Sequence, residues 1–135
     1  MLYSTSFGRV TYPGLFVAHG DTAVEMTITQ RTNGIAVLQP TGRIDSYTAL
    51  AFTDRIGALI DAGARWLVID LSAVTFLDST GLGTLLTNLR RVQALGGNLR
   101  LVQVPQAVYR VIELTALQAY LPRYASVDDA LASAP

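Results

Sequence analysis

Asp78, Ser79 and Thr80 put a carboxylate and two hydroxyls in immediate succession, after the apolar run Val74-Thr75-Phe76-Leu77 and before Gly81. Two kinds of chemistry suit such a triplet. The first is structural: Asp78 or Ser79 can cap a helix, accepting a hydrogen bond from an N–H that has no partner in the first turn. The second is nucleophilic, with Ser79 or Thr80 attacking and Asp78 nearby, but a hydroxyl needs an adjacent base to react at neutral pH. This chain has no cysteine, no lysine and a single histidine, His19. A Ser-His-Asp triad, thiol catalysis, a thiolate metal site and a histidine metal cluster therefore lack their parts. Gly81 and Gly83 strip side chains from the turn that follows. Each weakens a helix by up to about 1 kcal/mol, and their presence suits close approach by another molecule.

Composition narrows the partners. A chain of 135 residues has room for one domain. Half of the residues are apolar and 15% are charged, which fills a core and excludes an intrinsically disordered chain. No apolar run approaches the roughly 18 residues that span a bilayer. Ten arginines balance ten acidic residues, and a net charge of zero disfavours nucleic acid or an anionic membrane surface.

The elements that must hold the triplet follow from periodicity. The first twenty residues contain a turn signal, Tyr12-Pro13-Gly14, and a short apolar run, Leu15-Phe16-Val17-Ala18. No basic segment precedes a long apolar stretch, so a secretory signal is not expected. An added edge strand, a flexible arm or translated sequence ahead of a start at Met26 all remain open. Val24, Met26 and Ile28 then alternate with polar residues, Asn33-Gly34 predicts a type I′ hairpin turn, and Ile35-Ala36-Val37-Leu38 forms the return strand. Residues 46–62 have helical spacing, with Ala49, Phe52, Ile56 and Leu59 on the apolar stripe, Asp54, Arg55 and Asp61 away from it, and Gly63 at the end. Trp66-Leu67-Val68-Ile69 predicts a strand covered on both faces, with Trp66 in the core and Asp70 as a cap or turn ligand. The helix after the triplet carries Leu82, Leu85, Leu86, Leu89 and Val92, with Arg90 and Arg91 solvated near its end and Gly96-Gly97 closing it. A strand at Leu99, Leu101 and Val102 follows, then a helix with Pro105 in its first turn and Val108, Val111 and Ile112 inward. A short strand near Arg123-Tyr124 precedes a terminal helix capped at Ser126, with Asp129 in the capping-box position. Strands alternating with crossover helices predict an α/β fold: a mixed, mainly parallel sheet opened by an antiparallel hairpin, with helices packed against it.

Phe76-Leu77-Asp78-Ser79-Thr80-Gly81-Leu82-Gly83 resembles the signature of the STAS family, the domain of bacterial anti-sigma factor antagonists and of sulfate transporter tails. Pro40-Thr41-Gly42-Arg43-Ile44-Asp45 resembles the turn into that family's first helix, Val68-Ile69-Asp70-Leu71 its strand before the signature, and Gly96-Gly97-Asn98-Leu99 its turn after the second helix. The likeness spans about residues 26–132 and implies a single STAS-like domain at 23–135, with 1–22 an N-terminal arm or added edge strand. It also implies a cytoplasmic regulatory protein that needs no cofactor or metal and is not an enzyme. In the antagonists of this family the serine directly after the aspartate is phosphorylated by an anti-sigma factor that is itself a serine kinase. That position is Ser79 here, with Thr80 the second choice. Asp45, Asp78, Ser79, Thr80, Gly81 and Leu82 are then the expected partner-binding residues. The implied cycle is partner switching: the unmodified protein holds the kinase, the phosphorylated form releases it, and a PP2C-type phosphatase resets the switch. A weak homodimer is compatible with this reading. The alternative within the same fold is a scaffold or accessory subunit of a transport or signalling complex, in which Ser79 caps a helix and is never phosphorylated.

Overall fold

The computed structural model describes residues 8–12, 25–31 and 33–132; the apolar run at 15–18 and His19 lie outside the described residues. Alternation after residue 24 produces β2 (Glu25–Arg31), which returns antiparallel as β3 (Ile35–Ile44). Asn33 and Gly34 sit at φ 67° and 72°, the left-handed pair that the Asn-Gly signal predicts. The register pairs Arg31 with Ile35, so the loop holds three residues where a type I′ hairpin has two. Ahead of this hairpin, β1 (Gly8–Tyr12) pairs antiparallel with β2.

The remaining pairings are parallel. Sheet order is β1-β2-β3-β4-β6-β7, with β4 (Trp66–Asp70), β6 (Asn98–Val102) and β7 (Arg123–Tyr124) added through crossover helices. A further strand, β5 (Val74–Leu77), is not signalled by periodicity, because only Val74 and Leu77 of its four residues are buried. It exists because β3 is long enough to serve two partners. The first half of β3 pairs with β4, and the second half pairs with β5 after a register shift between Gly42 and Arg43. Ile44 opposite Leu77 is the last of these pairs.

Three helices cover one face of the sheet: α1 (Ala49–Asp61), α2 (Ser79–Ala94) and α3 (Gln106–Leu114). Phe52, Ile56, Leu85, Leu89, Val108 and Ile112 pack there against Leu38, Leu67, Ile69 and Leu101. A short α4 (Val127–Leu131) covers the other face, setting Ala130 against Val68 and Val102. That two-sided cover explains why β4 reads as a continuous apolar run. Arg55, expected on the solvated side of α1, is instead buried on the stripe it shares with Ala51 and Leu59, away from the Thr53 and Gly57 side that meets α2. Trp66 is only half-buried, with the Arg100 guanidinium 4.8 Å above its ring, and so lines the edge of the core. Pro105 stands one residue ahead of α3 as its N-cap, and Ser126 caps α4 by accepting from the N–H of Asp129 at 3.1 Å.

Candidate functional site

Parallel pairing brings the Asp45 turn and the Asp78 turn together. Ile44 and Leu77 end their strands side by side, and each chain then bends into a helix at the same end of the sheet. The contact is closed by Gly81: a Cβ there would run into the carbonyl oxygen of Ile44 and lie 2.8 Å from Leu77 Cδ1. Glycine is required at this position by packing, with no need of a positive φ.

Asp45 organises the first turn. Its Oδ1 accepts from the N–H of Tyr47 at 3.0 Å and of Thr48 at 3.2 Å, and its Oδ2 accepts from Arg43 Nε at 2.9 Å. Thr48 Oγ1 donates to the Arg43 carbonyl at 2.8 Å and accepts from the N–H of Asp45 at 3.0 Å. These side-chain bonds hold residues 45–48 as a turn, which is why α1 begins at Ala49 and not at residue 46. Burial pushes the Asp45 carboxyl up, but the Arg43 hydrogen bond, the two N–H donors and the Arg43 charge together outweigh it and hold Asp45 below its ordinary range. At 4% exposure Asp45 turns its carboxylate inward, and within this structure that side chain builds the turn.

Asp78 organises the second turn. It is the N-cap of α2, and its Oδ1 accepts from the N–H of Gly81 at 2.8 Å. Ser79 and Thr80 occupy the first two helical positions and both are exposed. Leu82 is 3% exposed and points into the core, and Gly81 is buried, so neither offers a side chain to a partner. Of the six expected contact residues, Ser79 and Thr80 face solvent, Asp78 is half-buried as cap, and Asp45, Gly81 and Leu82 hold the frame. Asp70 is the last residue of β4 and acts as a turn ligand for the loop that follows, its Oδ1 accepting from the N–H of Ser72 at 2.9 Å.

The same end of the sheet carries residues that the motif reading does not single out. Tyr47 is 71% exposed and Leu50 is 69% exposed, one on the Asp45 turn and one in the first turn of α1. Phe76, on β5, lies with the Arg43 guanidinium 4.0 Å from its ring centroid. The available signal for Leu50 is its position one residue off the Ala49–Phe52–Ile56 stripe, which leaves a large apolar side chain outside the core.

A family model, the STAS domain, matches residues 26–130, which is most of the chain. The chain belongs to the STAS domain family. Its STAS domain is 32% identical over 95 residues to the anti-sigma-B factor antagonist of Bacillus subtilis (strain 168), covering 70% of this chain and 85% of that one. A crystal structure of an anti-sigma factor antagonist from Mycobacterium paratuberculosis superposes with a TM-score of 0.71 at 34% identity, covering 84% of this chain and 95% of the other. The unphosphorylated form of the anti-sigma factor antagonist SpoIIAA shares the fold, with a TM-score of 0.69 at 19% identity over 80% of this chain and 94% of its own. The mixed sheet and the four helices of the described residues are thus those of the STAS fold. Among the described residues, no helix is long and apolar enough to cross a membrane.

Proposed function

We propose that this protein is an anti-sigma factor antagonist that binds a serine-kinase anti-sigma factor and releases it when Ser79 carries phosphate. The observation that carries the reading is the display of the Ser79 hydroxyl: exposed, at the first helical position of α2, beside a cap and a glycine contact that fix the turn. A kinase can reach that hydroxyl without opening the core. Phosphate there adds a charge of about −1.5 to −2 at pH 7. A partner seated on this face meets that charge directly, and each ~1.4 kcal/mol of repulsion or lost contact is tenfold in affinity. Thr80 is the neighbouring acceptor, Asp78 supplies the fixed cap, and Tyr47 and Leu50 offer apolar area beside it. A PP2C-type phosphatase would return the protein to its binding form.

The test uses the cognate kinase. Incubation with ATP should add one phosphate to the intact mass, mapped to Ser79, and Ser79→Ala should abolish it. In a titration, Ser79→Ala should bind within about twofold of wild type, and Ser79→Asp should lose at least tenfold. Equal affinity of the two variants would remove the switch and favour the scaffold alternative.

A further inference from the structure

The two glycines that open α2 do different work. Gly81 is demanded by the fold, since a side chain would strike Ile44. Gly83 is not: it is exposed, sits within regular helix, and a Cβ at that position would meet nothing within 4 Å. Packing therefore gives no reason for a residue that weakens the helix. Its position supplies one. Gly83 is four residues after Ser79, hence one turn along on the same helix face. Side chains on a helix lean toward its N-terminus, so a residue covers the surface over the turn that precedes its own Cα. A Cβ alone meets nothing within 4 Å, but a longer side chain at 83 would lean over Ser79.

We infer that Gly83 is the access residue for the phosphoacceptor, a position kept bare so that the kinase can close over the Ser79 hydroxyl. Phosphoryl transfer needs the attacking oxygen within about 3–3.5 Å of the phosphorus and aligned with the leaving group, so the kinase must seat atoms directly around that oxygen. The turn at Gly83 is the surface those atoms rest on. This rests on the proposed phosphorylation of Ser79 and goes beyond it by assigning the steric determinant of the reaction. Gly83 touches no reacting atom; it positions by absence.

Because the space around Gly83 is open, its variants should fold, and docking can be separated from stability. Gly83→Ala, Gly83→Gln and Gly83→Leu would be compared with Thr87→Leu, which adds bulk at an exposed position of the same helix two turns beyond Ser79. Each is assayed for Tm and for Ser79 phosphorylation by the kinase. Gly83→Ala, whose methyl meets nothing within 4 Å, should raise Tm by about 2–6 °C and keep kcat/KM within about twofold of wild type. Gly83→Gln and Gly83→Leu should keep Tm at or above wild type and lower kcat/KM at least thirtyfold, chiefly through KM. Thr87→Leu should leave both near wild type. A folded Gly83→Leu protein phosphorylated at the wild-type rate overturns the inference and leaves the proposed function standing. An equal loss in Thr87→Leu also overturns it, because bulk anywhere on α2 would then suffice. A wild-type protein that takes no phosphate overturns the proposed function and this inference with it.

Discussion

Asp45 shows how a charged residue at a functional end can serve the fold. Its ion pair with Arg43 is weak support, because the Arg43 side chain is 58% exposed and a screened pair is worth about 0–1 kcal/mol. The N–H groups of Tyr47 and Thr48 weigh more, since hydrogen bonds to an ionised acceptor are worth about 1.5–3 kcal/mol and here the acceptor is buried. Asp45→Asn, which keeps the shape and removes the charge, should cost about 1–3 kcal/mol in urea unfolding at pH 7. The pH dependence has a definite sign. The folded-state carboxyl lies below the 3.8 of a free aspartate. Its stabilising effect is therefore complete above about pH 4 and fades as pH falls through the lower folded value. The gap between wild type and Asp45→Asn should be constant from pH 7 to 5 and should narrow below pH 4. A gap that widens on acidification would mean that the carboxyl is raised in the fold.

The same element ending is built three times, with two glycines and one exception. After α1 the N–H groups of Gly63 and Ala64 bond to the carbonyls of Ile60 and Leu59; after α2 those of Gly96 and Gly97 bond to Gln93 and Val92; after α3 those of Ala116 and Leu117 bond to Glu113 and Ile112. Each is a Schellman closure, with its left-handed residue at φ 107°, 87° and 58°. The third carries Ala116 where the others carry glycine, and a non-glycine residue in that region is strained by about 1 kcal/mol. Ala116→Gly should therefore raise stability by about 0.5–1 kcal/mol, read as a small increase in Tm. Gly81→Ala should do the reverse, costing at least about 3 kcal/mol, because a backbone carbonyl cannot step aside as a side-chain tip can. These endings also mark what the sequence makes legible. Gly63 and Gly96 announce two helix ends, and the Asn33-Gly34 turn announces the hairpin, because each positive φ selects its residue type. The third ending is hidden behind an alanine. β5 is hidden because its two exposed residues break the pattern and its partner is the far half of a strand already paired. At the site, the cap and both hydroxyls are readable from Asp78-Ser79-Thr80. The burial of Asp45 is not, since it depends on backbone donors that meet only after β3 and β5 align.

Across the whole molecule, the proposed switch requires that a charge added at one corner change binding and leave the sheet intact. With Asp78 taken as about 6 Å from a phosphate on Ser79, repulsion is on the order of 1–5 kcal/mol for an effective dielectric between 80 and 20. The N-terminus of α2 returns about 0.3–2 kcal/mol by attracting the anion. The remainder is smaller than a folding free energy of about 5–15 kcal/mol. The fold has a further margin here, because Ser79 and Thr80 are exposed and the core begins only at Leu82. Ser79→Asp adds less charge than phosphate, so it should unfold in urea with an unchanged m-value and a loss below about 2 kcal/mol, while its affinity for the partner falls at least tenfold. Fully exposed charges are screened over about 8 Å at physiological salt. If repulsion at the interface accounts for the lost affinity, part of it should return as ionic strength is raised, and the unfolding midpoint should move little. A reduced m-value or a loss above about 4 kcal/mol would place Ser79 inside the cooperative fold, and release of the partner would then follow from local melting.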